Sequence, residues 1–158
     1  MNKLQILSLE IERMPKTPQR EFSDLFSLPY NSVCTTSTHD MSPLRNWWKE
    51  DREKIQRYYN NVLHYEGQAP GECSSEIASR IITNHLATNS MLTIIPLQDW
   101  FAIDDTVKRK DIEGERINVP ANSNHYWCYR MHIPLESLLI KEEFNDKVAQ
   151  LIVASGRK

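Results

Sequence analysis

The chain has 158 residues, enough for about one domain, and its 40% hydrophobic and 25% charged residues are typical of a globular protein. Nineteen Lys and Arg residues against 21 Asp and Glu residues give a formal net charge of −2, which argues against a nucleic-acid partner. No apolar run has the length of a membrane span, and the N-terminus lacks the pattern of a signal peptide. We therefore expect one cytoplasmic domain over residues 1–158 with no membrane partner.

Low glycine content and scattered cysteines exclude several cofactor sites. With only four glycines, the chain has neither a dinucleotide-binding motif nor a P-loop. Its three cysteines, Cys34, Cys73 and Cys128, have no close pairing and are expected to be reduced thiols. A cluster of two His and one Cys over 125–132 lacks the ligand spacing of a zinc site. We expect no metal and no cofactor.

The first third of the chain predicts two strands. Residues 4–11 are apolar at both parities, which is typical of a strand buried on both faces in a parallel sheet. Residues 16–31 predict a loop with one helical turn. Residues 32–38 are rich in β-branched and small side chains and predict a second buried strand, which ends at His39 and Asp40.

Helices are predicted to follow. Ser42 is expected to be the N-cap and Pro43 the first residue of a helix over 43–65, broken once and closed by Gly67. Ser74 is expected to cap the next helix.

The last third is predicted to begin with a strand. Residues 91–97 form this third strand, with Pro96 near its end. Residues 103–116 predict a solvated loop, and 141–154 predict a terminal amphipathic helix. Alternation of strands and helices favours an α/β fold with parallel strands.

Acidic side chains follow two of the predicted strands. His39 and Asp40 follow one strand, and Gln98 and Asp99 follow another. In α/β folds the carboxyl ends of strands form the site, where such groups bind sugar hydroxyls or stabilise developing positive charge. The alternative for both pairs is structural, as helix caps or internal hydrogen-bonding groups.

Two other features also allow either a functional or a structural interpretation. The pair Trp47 and Trp48 suits either a sugar-stacking surface or the core, and the core is favoured. Cys34 lies near His39 as a thiol nucleophile would, but its place in a β-branched strand favours a buried, inert thiol.

Several segments together resemble a known family. They are, in chain order, ILSLEIERMP over 6–15, CTTSTHDMSPLRNWW over 34–48 and IPLQD over 95–99. Asn118-Val119-Pro120 and the segment from Asn124 to Arg130 follow. They resemble the amylomaltases, or 4-α-glucanotransferases, of glycoside hydrolase family 77, in the subgroup of the plant cytosolic disproportionating enzyme and the Bacteroides-type enzymes.

The resemblance implies a function and an incomplete barrel. Family members are (β/α)8 barrels that transfer α-1,4-glucan segments with retention, using an Asp nucleophile, a Glu acid/base and an Asp stabiliser. Asp40 matches the stabiliser, His39 a sugar-binding histidine, and Gln98 and Asp99 a pair near the site. The nucleophile and the acid/base have no match, so the expected fold is the C-terminal portion of the barrel, about strands 6–8.

The expected partners and alternatives follow from that incompleteness. The chain is expected to act on malto-oligosaccharides, glucose and α-glucans only in a full-length context. The alternative is a non-catalytic carbohydrate-binding or interaction fragment. Exposed barrel edges predict self-association.

Overall fold

A small parallel sheet organises the chain. The computed structural model describes residue 4 and residues 6–157, and its three strands are parallel in the order β1-β2-β3. The strands are β1 (Ser8–Ile11), β2 (Ser32–Thr35) and β3 (Leu92–Thr93). The helices of the described residues are α1 (Leu44–Glu50), α2 (Arg52–Asn61), α3 (Ser75–Leu86), α4 (Leu97–Phe101), α5 (Leu135–Leu139) and α6 (Glu142–Ala154). The predicted α/β class with parallel strands is confirmed.

The apolar pattern predicted strands buried on both faces, and this holds for β2, where three of four residues are buried, but not for all of β1 and β3. Leu9, Val33 and Leu92 are in register, and Leu9 and Leu92 are exposed. The opposite face carries Glu10 and Cys34, which are buried. Among the described residues the first face is covered only at the carboxyl ends of the strands, where Ile11 and Thr35 are buried, and it is open around Leu9 and Leu92. Residue 5 of the predicted strand lies outside the described residues.

All three predicted strands are shorter in the structure, and the first, predicted over 4–11, spans only Ser8–Ile11. The strand predicted over 32–38 ends at Thr35, because Thr36 and Ser37 direct their hydroxyls to Asp99 instead of continuing the ladder. The strand predicted over 91–97 covers only Leu92–Thr93. Pro96, with φ of −57° and no N–H to donate, begins α4 at this point.

The long helix predicted over 43–65 is broken once, as expected, but its bounds differ. It begins at Leu44, with Pro43 as N-cap, and it ends at Asn61, before His64 adopts a positive φ of 58°. The break lies at Asp51, whose carboxylate accepts a hydrogen bond from the Lys54 N–H and so caps α2. Ser74 likewise caps α3 by accepting from the Ile77 N–H, as predicted. Ser42 does not cap α1, which was the expectation, because its hydroxyl bonds to the Glu50 side chain.

The core lies among the helices and is aromatic at its centre. Both Trp47 and Trp48 are buried, and each makes an edge-to-face contact with Tyr58 at 4.9 and 6.4 Å between ring centroids. The core interpretation of the tryptophan pair is therefore confirmed. Phe144 extends this core to α6, as the amphipathic pattern of 141–154 predicts. In the part of the chain that the structure describes, every helix is too short or too polar to cross a membrane.

The charged segment 103–116 is not a solvated loop throughout, which corrects that prediction. Asp104 and Glu115 are buried, as are Ile103 and Val107. The reason is pairing with distant cations: Lys147 of α6 donates to Asp104, and Arg45 of α1 donates to Glu115. These ion pairs fold the segment against the helices.

A buried carboxylate makes the stability of the chain sensitive to pH. Burial raises the pKa of Glu12 to about 7, although the Tyr58 hydroxyl, which donates to it at 2.6 Å, lowers the pKa. Because this pKa lies above the ordinary value of 4.5, the folded state prefers the protonated form. The resulting stabilisation is full below pH 4.5 and is lost as the pH rises through 7.

We expect Glu12→Gln to remove this dependence. A neutral amide keeps an acceptor for Tyr58 but has no proton to lose. Between pH 4.5 and values above 7 the free energy of unfolding should fall less in the variant, by up to about 3 kcal/mol at 1.36 kcal/mol per pKa unit. Burial lowers the pKa of neighbouring His85, whose Nε2 lies 3.9 Å from Glu12 Oε2, to about 4.

The measurement is urea denaturation at a series of pH values. Glu66→Gln, which replaces an exposed carboxylate in the same way, serves as the control and should parallel the parent. If the free energy of unfolding depends on pH equally in Glu12→Gln and in the parent, Glu12 is not the source of the pH dependence.

Candidate active site

The predicted pair His39 and Asp40 lies in the turn between β2 and α1. Both side chains are about half exposed, and His39 Nε2 lies 3.2 Å from Asp40 Oδ2. The turn contains one internal backbone bond, from the Met41 N–H to the Thr38 carbonyl at 3.1 Å. Asp40 therefore does not cap α1, and the structural alternative considered for it fails in that form.

Residues from the last third of the chain complete the surroundings of this pair. Asn118 Nδ2 donates to Asp40 Oδ1 at 2.7 Å, so each carboxylate oxygen has one partner. The indole of Trp127 lies against His39 with 5.2 Å between ring centroids, yet remains 61% exposed. The result is a carboxylate, an imidazole and an exposed aromatic ring at one place, a combination that suits sugar hydroxyls and sugar faces.

A cleft of about 490 Å³ borders Asp40. Residues 40–42 of the turn between β2 and α1 and residues 119–121 line part of it. Charged side chains of both signs line it, including Arg116 and Glu50, which pair at 2.8 Å. A cleft of this polarity offers hydrogen-bonding groups to a polyhydroxylated ligand.

Gln98 and Asp99 occupy a different position from the one predicted. They lie in the first turn of α4, not directly after a strand, and both are buried. Asp99 accepts from the Thr36 hydroxyl, the Ser37 hydroxyl and the Leu44 N–H at 2.6, 2.9 and 2.8 Å. Gln98 donates to the Glu115 carbonyl at 3.3 Å. A substrate contact for either residue stays a prediction.

Asp99 thus performs the capping that the sequence assigned to Ser42. Its carboxylate holds the first N–H of α1 although it belongs to another helix. Burial raises the pKa of Asp99, and the bonds from Thr36 and Leu44 lower it again.

Sequence reasoning missed two residues of this region. Arg13 was noted only as a member of the segment 6–15, and Asn118 only as part of its own motif. Arg13 is buried and donates to the carbonyls of Thr36 and Ser42, the two ends of the Asp40 turn. The available signal was an arginine two residues after a buried strand. Such a charged side chain is buried only where it has partners.

The His and Cys cluster over 125–132 shows no metal geometry. His125 and His132 each lie within hydrogen-bond distance of a backbone carbonyl, of Ile117 and of Val107. Across residue 4 and residues 6–157, no three His, Cys, Asp or Glu side chains are close enough to share an ion. The absence of zinc stays a prediction.

The structure supports the expectation that Cys34 is a buried, inert thiol. Cys34 and Cys73 are buried, and all three cysteines are free. Burial raises the pKa of Cys34 and of Cys73 to about 12, which disfavours the nucleophilic thiolate.

Solved structures share this fold. Amylomaltase from Streptococcus agalactiae in complex with acarbose superposes on 99% of the chain, with a TM-score of 0.71 and 18% identity. Amylomaltase from Corynebacterium glutamicum superposes on 93%, with a TM-score of 0.64 and 17% identity. The chain covers 28% and 25% of those proteins. The fold is therefore that of a partial TIM-barrel-type α/β domain.

Sequence comparison defines the family. Residues 1–136 match the model of glycoside hydrolase family 77, 4-alpha-glucanotransferase. The chain is 38% identical to 4-alpha-glucanotransferase DPE2 of rice, Oryza sativa subsp. japonica, over 99% of this chain and 17% of that protein. It is 28% identical to 4-alpha-glucanotransferase of Chlamydia pneumoniae, over 89% and 27% respectively. The chain belongs to glycoside hydrolase family 77, and it spans about a quarter or less of the length of these relatives.

Proposed function

We propose that this chain is the part of a 4-α-glucanotransferase that carries the transition-state stabiliser, active in a full-length context. The substrates are malto-oligosaccharides, glucose and other α-glucans. The observation that carries the proposal is Asp40: an accessible carboxylate fixed by His39 and Asn118 at the edge of a polar cleft.

The chemistry explains what Asp40 contributes. Retaining transfer proceeds through a transition state like an oxocarbenium ion, with positive charge on the sugar ring. A carboxylate fixed in a site that substrate makes poor in water stabilises that charge strongly. His39 and Asn118 hold the two oxygens of Asp40 in one orientation, and Trp127 offers an apolar surface for a neighbouring sugar ring.

Retaining transfer also needs a nucleophile and an acid/base about 5–5.5 Å apart. The resemblance assigns both to family segments that precede the match to residues 6–15. Glu10 and Glu12 do not replace them, because both are buried in and beside β1, where Glu10 bonds Ser8 and Glu12 bonds Tyr58. The chain therefore contributes one of three carboxylates.

The first expected result is that the chain as printed releases no glucose from maltotriose above a blank without protein. Covalent catalysis is absent without a nucleophile. Glucose assay after prolonged incubation is the measurement. Release above the blank that Asp40→Asn removes would show that a complete site exists in this chain, and would refute the proposal.

A chimera tests whether the chain supports glucan transfer in a full-length context. Residues 1–158 replace the segment of rice DPE2 to which they align, and the chimera is expected to disproportionate maltotriose. Binding of acarbose by the chimera without any transfer would favour the alternative, a non-catalytic carbohydrate-binding fragment. A folded chimera that neither binds nor transfers would contradict both.

The position within the barrel is part of the proposal. We assign β1, β2 and β3 to about strands 6, 7 and 8, on the basis of their parallel order and of the motifs they carry. The open face around Leu9 and Leu92 supports this, because in a barrel such a face is covered by other strands. Self-association through the same face is the expected behaviour of the chain alone, and sedimentation velocity tests it. A cytoplasmic location stays a prediction.

A further inference from the structure

Two buried side chains of opposite charge contact both ends of the segment that carries Asp40. This segment, residues 36–44, is called the Asp40 loop below. Arg13 follows β1, and Asp99 lies in α4 after β3, so the residues reach the loop from the two strands that flank β2.

Arg13 binds the loop through backbone carbonyls. Its Nε and Nη2 donate to the Thr36 carbonyl at 3.1 and 2.9 Å, at the start of the loop. Nη2 also donates to the Ser42 carbonyl at 2.8 Å, near the end. One guanidinium thus joins positions that lie on either side of His39 and Asp40.

Asp99 binds the same two ends as a hydrogen-bond acceptor. Its Oδ2 accepts from the hydroxyls of Thr36 and Ser37 at 2.6 and 2.9 Å. Its Oδ1 accepts from the Leu44 N–H at 2.8 Å. Thr36 is therefore held by its carbonyl and by its hydroxyl, through side chains that follow the two strands flanking β2.

Burial makes these bonds strong constraints. Arg13 is 7% exposed and Asp99 is 1% exposed, so neither charge can exchange its loop partners for water. Burial lowers the pKa of Arg13, and the charge of Asp99 raises it again, so the two groups stabilise each other in their charged forms. A loop that moved would leave both buried side chains without their hydrogen-bond partners in the loop.

The middle of the loop has no comparable support. His39 and Asp40 are exposed, and their bonds go to each other and to Asn118, which is itself exposed to solvent at that contact. The location of the Asp40 carboxylate relative to the sheet is thus set from the ends of the loop.

We propose that Arg13 and Asp99 are positioning residues that hold the Asp40 loop against β2 and so fix the place of the Asp40 carboxylate. The structural part of this proposal is independent of function. Its catalytic consequence rests on the proposed function.

The structural part is tested on the chain as printed by amide hydrogen exchange. The reporters are the Met41 N–H, which bonds within the loop, and the Ile94 N–H, which bonds to the Cys34 carbonyl outside it. Asp99→Asn is expected to speed exchange at Met41 about tenfold relative to Ile94, since a charge-assisted bond is lost at each end. Arg13→Lys, which keeps the charge but loses the forked geometry, should act in the same direction.

A matched control separates positioning from general stability. Asp104→Asn removes a carboxylate that is as buried as Asp99 but bonds Thr106 and Lys147, away from the loop. This control should change the exchange rates of the Met41 and Ile94 amides in the same proportion. If Asp99→Asn also changes the two amides in proportion, the proposal is overturned.

The chimera supplies the catalytic readout. Asp99→Asn is expected to lower kcat between about tenfold and a hundredfold with little change in KM, as a small misplacement of a catalytic group would. In an Asp40→Asn background the same change should have almost no further effect, because the group that it positions is gone. Asp104→Asn should have the same small effect in both backgrounds.

Additive effects of Asp99→Asn and Asp40→Asn would overturn the positioning role. A chimera without transfer activity would refute the proposed function alone, and the exchange experiment would still decide whether Arg13 and Asp99 hold the loop.

Discussion

Asp40→Asn in the chimera is expected to lower the rate of maltotriose disproportionation by about 10²–10³, the usual loss when one preorganised group is removed. The asparagine keeps the shape and one oxygen acceptor, so Asn118 can still donate, but the negative charge that opposes the charge of the sugar ring is gone. Initial rates of glucose release at saturating maltotriose measure the effect.

The control for this experiment is Asp146→Asn, which replaces an exposed carboxylate on α6 with no role in the site. It should keep the parent rate. Melting of the Asp40→Asn chimera within a few degrees of the parent would show that folding survives. A rate above half of the parent's would mean that Asp40 is not the stabiliser, whatever its resemblance to the family motif.

Trp48→Ala is expected to destabilise the chain by about 3–5 kcal/mol, a large part of the 5–15 kcal/mol that a domain of ordinary stability possesses. The indole is completely buried, contacts Tyr58 and Tyr59 edge-to-face, and donates from Nε1 to the Pro70 carbonyl at 3.0 Å. Its removal leaves a cavity in the core, while Arg52 Nη1 still donates to the Pro70 carbonyl at 2.8 Å.

Urea denaturation followed by circular dichroism measures this change. Trp127→Ala, which removes an indole that is 61% exposed, is the matched control and should alter the free energy of unfolding by less than about 0.5 kcal/mol. Equal losses in the two variants would contradict the placement of Trp48 at the centre of the core.

The local features of the fold were predictable because they depend on neighbours in the sequence. The cap of α3 at Ser74 needs only the N–H three residues later. The break between α1 and α2 follows equally from Asp51 and the Lys54 N–H. The motif that contains His39 and Asp40 is continuous, so it too could be recognised without any structure.

Two of the failed predictions share one physical cause, which is burial of charge by distant partners. Ser42 was expected to cap α1, but Asp99, 55 residues beyond Leu44, holds that N–H. The segment 103–116 was expected to be solvated, but Arg45 and Lys147 bury its acids. A charged side chain is predicted to be exposed unless its partner is known. The hydrophobic periodicity of a segment does not reveal a partner that lies far away in the sequence.

The sequence by itself predicted the α/β class and the parallel direction of the strands, and the resemblance of its motifs to a family marked Asp40 as the candidate stabiliser. Those properties rest on hydrophobic periodicity, on caps, and on a contiguous motif. Only the tertiary structure decided that Asp99 and Arg13 serve the loop from within the core, and that Asn118 completes the surroundings of Asp40. The bond between Thr36 and Asp99 spans 63 residues, and such contacts exist only once packing has brought the three strands side by side.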